Sequence, residues 1–466
     1  MISLELGLLA RAAGARSIAG VGPAAVTGVA TDSRTLAPGS LFVALRGERY
    51  DGHDFLVAAR ERGAVAAVVD AMGEAKALAA GLPLLVVPDT LRALGDMANA
   101  VRLTRSEPVV AVGGSNGKTT TKELIAAALG VRGAVHRTRG NLNNLIGLPL
   151  TLLEWPASTW AAVIEAGMNM PGELARLTDI AAPTLGILTV IGPEHLEGLG
   201  TVENVARAEG ELFLHLPEHA TCVVNADDEL IESICVPLAG KRRQVSFGHD
   251  ALADVQVLSQ RSEGVGQVVE LRIERRKVEI SLPLAGAHNA TNAAGAAAVA
   301  WALGLTDGEI ARGLAAVTVP GSRMRIVRDT PRGVSVLDDT YNANPQSMKA
   351  AFAALSSLAS GRKLAVLGDM FELGAGAPGL HREVGEAAAR SGITHVLALG
   401  PCAEETAMGA RAGGASGVAY ADVESLVGAL DELLVRGDWL VVKGSRGMRM
   451  ERVVEHVTQS RGASGH

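Results

Sequence analysis

Ala111-Val-Gly-Gly-Ser-Asn-Gly-Lys-Thr-Thr-Thr-Lys122 is the stretch on which the fold turns. It follows the apolar run Val109 to Val112 and opens a helix-like segment that continues to Leu129. A strand that turns through glycines straight into a helix builds a phosphate-binding loop. Gly113, Gly114 and Gly117 let backbone N–H groups curl around phosphate oxygens, with Ser115 and Asn116 between them. Lys118 can reach the terminal phosphates, the Thr119 hydroxyl can ligate Mg2+, and Thr120 continues the first helical turn. ATP is the ligand this arrangement predicts. The pattern G-x-x-x-x-G-K-[ST] is a variant here, because its first glycine falls on Val112. The competing reading is a glycine-rich strand-to-helix turn with no ligand.

Outward from the loop, apolar strands (Ala161 to Ile164, Leu185 to Val190, Thr221 to Val224) alternate with helical segments. That alternation predicts a mostly parallel sheet with helices on both faces. Upstream, short apolar runs at Ala64 to Val69 and Leu84 to Val87 lie among turn-rich segments and end in the polar stretch Arg102 to Pro108. Downstream, Asp254 to Pro283 alternates apolar and charged residues, a β-like insert, before an alanine-rich helix from Asn289 to Leu303. Val317-Thr-Val-Pro-Gly-Ser322 reads as a second linker. Beyond it, strands at Val334 to Leu337, Lys363 to Leu367, His395 to Leu399 and Trp439 to Val442 make a second doubly wound unit. The expected fold is α/β with three domains, at residues 1–105, 106–318 and 319–466. A central P-loop-type, mostly parallel sheet is flanked by a smaller N-terminal α/β domain and a C-terminal Rossmann-like domain.

At 466 residues the chain exceeds the size at which one core stops growing, in keeping with that division. A hydrophobic share of 48% with 3% aromatic residues describes a soluble globular protein, not a binder that stacks nucleic-acid bases on aromatic rings. The net charge of -7 argues against general affinity for nucleic acid or anionic membrane, so any phosphate site must be local. Cys222, Cys235 and Cys402 give neither a disulfide framework nor a zinc signature. The N-terminal Met1-Ile-Ser-Leu-Glu-Leu-Gly lacks a basic region followed by an apolar one, and no apolar run is long enough to span a bilayer, so neither export nor insertion is expected. A cytoplasmic monomer is expected.

Two strand ends carry further chemistry. Glu165 closes the run Ala161 to Ile164, where sheet ligands bind and an acidic partner for Mg2+ belongs; a solvated strand-end acid is the alternative. His195 follows Leu185 to Val190 in the same way and is a candidate for a second Mg2+ or for phosphate, against an exposed loop histidine. Lys443, Ser445 and Arg446 lie just past the last strand, a place suited to a carboxylate or simply a basic loop.

Taken in order, the phosphate loop, Gly140-Asn-Leu-Asn-Asn-Leu-Ile-Gly-Leu-Pro149, Glu165-Ala-Gly-Met-Asn-Met-Pro-Gly172, Ile191-Gly-Pro-Glu-His-Leu-Glu-Gly198, Asp338-Asp-Thr-Tyr-Asn-Ala-Asn-Pro345 and Lys443-Gly-Ser-Arg-Gly-Met-Arg449 resemble the Mur ligase family over nearly the whole chain. The second, third and fifth strings resemble the subgroup that joins D-alanyl-D-alanine to UDP-N-acetylmuramoyl-tripeptide. The resemblance implies an ATP-dependent ligase working through an acyl phosphate, with two Mg2+ ions, that makes the pentapeptide precursor of peptidoglycan. It implies Lys118, Thr119 and Glu165 at the ATP phosphates and their Mg2+, and His195 at the second ion. His288, Asn289 and Asn292 fall in the adenine-side motif, where Asn289 also reads as a helix N-cap. Asn143 and Asn144 fall on substrate contacts, and Arg323 with Asp338 or Asp339 on the third domain's share of the ATP site, Ser322 replacing the usual glycine.

The resemblance places Ser33 and Arg34, in Thr31-Asp-Ser-Arg34, at the uridine diphosphate, although alone they read as an exposed turn. Lys443, Ser445 and Arg446 fall to the dipeptide carboxylate. At position 209 the family commonly has a lysine carbamylated by CO2 that helps hold the second ion, and here it is glutamate. The expectation is that Glu209 supplies a built-in carboxylate, the alternative being a helix-surface acid. Closure of the third domain is expected, to keep water from the acyl phosphate. The rivals are a ligase for another amino acid or for folate and a nucleotide-dependent switch with no ligation product.

Overall fold

The computed structural model describes residues 3–18, 23–328 and 330–459; Met1 and Ile2 of the N-terminal stretch lie outside them. The central sheet has nine strands in the order Arg276–Leu282, Gly266–Ile273, Val255–Glu263, Arg243–Gly248, Thr221–Asn225, Leu185–Leu188, Val109–Gly113, Ala161–Glu165 and Val135–Arg137. From Val135–Arg137 to Val255–Glu263 every pairing is parallel. Strands buried on both faces read as unbroken apolar runs, which is why Val109–Gly113 and Ala161–Glu165 carry no polar alternation.

Helices Lys118–Leu129, Ala287–Ala302 and Asp307–Ala315 cover one face, and Gly147–Leu153, Glu173–Ala181 and Val202–His215 cover the other. The β-like stretch expected as an insert continues this sheet. Phe247 and Gly248 pair in parallel with Val255 and Gln256, and two antiparallel hairpin steps follow. The strand expected to reach Val190 ends at Leu188. Thr189 turns away because its N–H and hydroxyl both donate to the carbonyl of Gly113, each at 3.1 Å, and the hydroxyl reaches that of Asn116 at 2.5 Å.

The N-terminal domain is a five-stranded sheet, parallel except for Arg16–Ile18 against Leu84–Val87, with a separate pairing of Leu4–Glu5 and Ala25–Val26. Its last helix, Thr90–Leu103, is capped by Asp89, whose carboxylate accepts from the N–H groups of Leu91 and Arg92. The buried face of that helix, including Leu94, Met97 and Val101, packs in one core with Leu148, Leu152, Leu177 and Ile180 of the central domain. Asn99 and Arg102 donate to the carbonyls of Asp179, Ile180, Ala181 and Ala182, which ends helix Glu173–Ala181 with its carbonyls satisfied. The first domain is thereby fixed to the second.

The C-terminal sheet has six strands in the order Arg325–Val327, Ser335–Asp339, Trp439–Lys443, Lys363–Gly368, His395–Leu399 and Ser416–Tyr420, all parallel except the first. Apolar clusters fill both of its faces. It faces the central sheet across a cleft.

Candidate active site

Three adjacent central strands end on the same side of that cleft. Val109–Gly113 runs into the phosphate loop, Ala161–Glu165 ends in its glutamate, and Leu185–Leu188 leads to Glu194 and His195. Ligands of doubly wound sheets collect at the carboxyl ends of such strands. The cleft encloses about 770 Å³.

The phosphate loop needs its glycines. Gly114 has φ +114° and Gly117 φ +81°. A Cβ at 114 would lie 2.2 Å from Thr189 Oγ1, and one at 117 would lie 2.8 Å from Asn292 Oδ1. Lys118 donates to the carbonyl of Gly114 and lies 3.7 Å from Glu194 Oε2 and 4.0 Å from Glu209 Oε1. Burial alone would lower the Lys118 pKa, but the carboxylates of Glu194, Glu209 and Glu165 outweigh it and hold the ammonium charged.

Glu165 is buried with both oxygens engaged. Oε2 accepts from Thr119 Oγ1 and Oε1 from Asn143 Nδ2, each at 2.9 Å, and Lys122 Nζ is 3.5 Å away. Its reading as a solvated acid does not hold. Asn143 therefore orients Glu165 as well as facing the cleft, while Asn144 turns its Oδ1 to the N–H groups of Ile146 and Gly147 at the start of helix Gly147–Leu153.

His195 is half-buried at φ +51°, with Nδ1 2.5 Å from Glu372 Oε2 of the third domain and Nε2 3.9 Å from Glu194 Oε2. Burial lowers its pKa, but the hydrogen bond that it donates to Glu372 and the charge of Glu194 outweigh that, so the net shift is upward.

Thr119, Glu165, Glu194 and His195 set hydroxyl, carboxylate and imidazole donors around one space, and Glu194 Oε1 is buried without a hydrogen-bond partner among the described residues. This donor set fits Mg2+.

Glu209 stands apart. It is wholly buried on the inner face of helix Val202–His215, not on the helix surface, and it does not line the cleft. Its Oε2 accepts the N–H of Gly114 at 2.7 Å, bracing the phosphate loop from below. Burial, with the nearby charge of Glu194, pushes its carboxyl up to about 7 despite Lys118.

Further along the cleft, His288 and Asn292 project into it from helix Ala287–Ala302. Burial lowers the His288 pKa. Asn289 is buried behind them and is not an N-cap: the helix begins after Gly286, and the Asn289 amide donates to the carbonyl of Ala285 at 2.7 Å while its Oδ1 accepts from Asn292.

Across the cleft stand Arg323, stacked 3.9 Å from the Tyr341 ring, and Arg446, 5.7 Å from it. Lys443 lies 2.5 Å from Asp339, which lines the cleft, whereas Asp338 is turned away to Arg325 and Thr340. Ser445 spends its hydroxyl on the N–H of Phe371 at 2.8 Å.

Ser33 and Arg34 do not join this cleft. They follow strand Val29–Ala30 in the N-terminal domain, where the Arg34 side chain is 84% exposed and paired with Asp32 at 2.7 Å. That pairing, mainly the Arg34 hydrogen bond, holds the Asp32 carboxyl down at about 2.

Several residues that face the cleft carry no recognisable sequence role. Glu194 lies within Ile191 to Gly198 and Asn344 within Asp338 to Pro345. Gln346 and Glu372 give no signal at all, because their partners are remote in sequence. Asn116 donates to Gln346 Oε1 at 2.7 Å and accepts from Asn344 Nδ2 at 2.9 Å, a clasp from the phosphate loop to the third domain.

A phosphate loop under a second nucleotide-type sheet, with the cleft shared between them, defines a multidomain P-loop protein acting on a phosphate-bearing ligand. The chain belongs to the Mur ligase family. Three family descriptions match in succession: Mur ligase family, catalytic domain, at residues 25–102; Mur ligase middle domain at 112–300; and Mur ligase, glutamate ligase domain, at 322–446.

The UDP-N-acetylmuramoyl-tripeptide--D-alanyl-D-alanine ligase of Bacillus subtilis is 36% identical over 440 residues, 93% of this chain and 94% of that one. A crystal structure of MurF from Acinetobacter baumannii superposes with a TM-score of 0.89 at 29% identity, covering 98% of this chain and 99% of that one. The MurF ligase of Thermotoga maritima in complex with ADP superposes with a TM-score of 0.80 at 28% identity, over 93% and 97%.

Proposed function

We propose that this chain uses ATP to join D-alanyl-D-alanine to UDP-N-acetylmuramoyl-tripeptide, giving the pentapeptide precursor of peptidoglycan. The observation that carries the reading is the cleft: Lys118 and the phosphate loop on one wall, and the cations Arg323, Lys443 and Arg446 on the other. The names of the relatives above support the same substrates, and the ADP bound to one of them supports ATP.

The chemistry suits the residues. A carboxylate is a poor electrophile until it is phosphorylated. Its oxygen attacks the γ-phosphorus of ATP and ADP leaves; the amine nitrogen of the dipeptide then attacks the acyl carbon, phosphate leaves and the amine loses a proton. The protein positions the reactants and stabilises charge. Lys118 supplies a fixed positive charge, and the N-terminus of helix Lys118–Leu129 serves the phosphates, the N–H groups of Gly114 and Ser115 being held instead by Glu209 and the carbonyl of Val190.

Thr119, Glu165 and His195 would hold Mg2+, which when bound neutralises phosphate charge. We assign Glu209 to the bracing of Gly114. His288, Asn289 and Asn292 serve the adenine side, with Arg323 and Asp339 opposite; Asn143 and Asn144 meet the tripeptide, and Lys443 and Arg446 the dipeptide carboxylate, with Ser445 shaping the loop beside them. Ser33 and Arg34 take the uridine diphosphate end, with Arg34 released from Asp32.

No helix among the described residues is long and apolar enough to cross a membrane. The buried free thiols of Cys222 and Cys235 suit a reducing compartment, and we place the enzyme in the cytoplasm as a monomer. The test is phosphate release from ATP and Mg2+ with the UDP-tripeptide alone, the dipeptide alone and both, with mass spectrometry of the product. Release that requires both, with pentapeptide formed, is expected; release indifferent to both substrates overturns the reading.

A further inference from the structure

The segment Asp369 to Leu373 leaves strand Lys363–Gly368 of the third domain and is pinned on several sides. The N–H of Met370 donates to His381 Nε2 at 2.9 Å, that of Phe371 to Ser445 Oγ at 2.8 Å, and the Asp369 carboxylate accepts the N–H of Cys402 at 3.1 Å. His381 Nδ1 is occupied as well, 2.7 Å from the carbonyl of Ala377, so this cluster is a hydrogen-bonded anchor. What it anchors is Glu372, at φ +64°, which leaves the segment toward the central domain.

There the carbonyl of Glu372 accepts the N–H of Glu197 at 3.0 Å, and its carboxylate lies 2.5 Å from His195 Nδ1. A carboxylate only accepts here, so Nδ1 carries the proton. Nε2 then faces Glu194, 3.9 Å away.

We infer that Glu372 is a positioning residue for His195, delivered across the domain junction: it accepts the hydrogen bond of the Nδ1–H and leaves Nε2 turned to the cleft. A carboxylate on the outer nitrogen fixes the tautomer and ring orientation and makes the inner nitrogen a better ligand. The His195 side of the cleft is therefore complete only when the third domain is docked. The Asn116 clasp to Asn344 and Gln346 ties the phosphate loop to the same docking. The inference rests on the functional reading above, in which His195 meets Mg2+ beside the substrate.

The test uses Mn2+ in place of Mg2+, with free Mn2+ read by electron paramagnetic resonance in the presence of a non-hydrolysable ATP analogue, alongside the ligation rate. The Glu372 side chain is 56% exposed, so E372A leaves no core cavity. E372A is expected to weaken Mn2+ binding and to slow ligation by roughly 10–100-fold each, with KM for ATP unchanged. E372Q keeps an acceptor for Nδ1 and falls between E372A and the parent. The double variant E372A/H195A is no worse than H195A, because one residue acts through the other. Additive losses, or an E372A variant equal to the parent, overturn the inference and leave the ligase reading standing. An H195A variant equal to the parent overturns the inference and the placing of His195 at Mg2+, while the ligase reading falls only if phosphate release is indifferent to both substrates.

Discussion

Around His53 the N-terminal domain closes a charge cluster on itself, whereas beneath the phosphate loop a cluster of the same kinds of residue is left open. His53 meets Asp51 through Nδ1 at 2.6 Å and accepts the N–H of Asp70 at Nε2, and Arg46 reaches both aspartates at 2.7 Å. Lys118, by contrast, stands between Glu194 and Glu209, and each of those glutamates keeps a buried oxygen without a partner among the described residues. A satisfied network holds a fold; one left open on the side of a cleft, as Glu194 leaves this one, has room for a ligand that completes it.

The largest effect is expected at Lys118. K118M is expected to lower kcat by about 10²–10³-fold while leaving the chain folded, read by steady-state kinetics beside circular dichroism. A variant that keeps its rate would remove Lys118 from the phosphates.

The pH dependence of stability sharpens the contrast, because the two clusters have opposite signs. Glu209 is raised to about 7, so its contribution is full below pH 4.5 and is lost as pH rises through 7, by at most about 3 kcal/mol. E209Q should flatten that limb of a melting-temperature profile. Asp70 is held down at about 2, first by its hydrogen bond from Arg46, so its contribution is present above pH 3.8 and is lost as pH falls through 2. D70N should remove the acid limb and leave the other. Profiles of one shape for both variants would mean that neither cluster governs its limb.

The smallest effect is expected at His53. H53A removes one of the hydrogen bonds to Asp51 and leaves the N–H of Asp70 without its acceptor, and costs about 1–3 kcal/mol by denaturant unfolding. A cost near zero would show that water replaces the ring.

Much of this molecule is legible from its sequence where the signal is local. Fully buried strands such as Val109–Gly113 and Trp439–Lys443 announce themselves as apolar runs. The short edge strand Arg325–Val327 does not, since no buried position marks it, and Ser416–Tyr420 buries only Gly417. The same division runs through the site. The phosphate loop is legible because its glycines, Lys118 and Thr119 are consecutive, but the Asn116–Gln346 bond joins residues 230 apart. Glu209 had to be seen to be placed: only the packing of helix Val202–His215 shows that its carboxylate faces the loop from below. Asn289 failed as an N-cap because the helix begins earlier than its sequence suggests.

Two side-chain links across the junction differ in charge. The Asn116 clasp is made of neutral amides, whereas His195 and Glu372 form a contact that gains from charge. Dissolved ions screen charge over about 8 Å at physiological strength and leave an amide bond alone. Concentrated salt therefore weakens the charged contact at the His195 edge more than the amide clasp at the phosphate loop, and leaves the backbone bond from Glu197 to Glu372 as the uncharged hold on that edge.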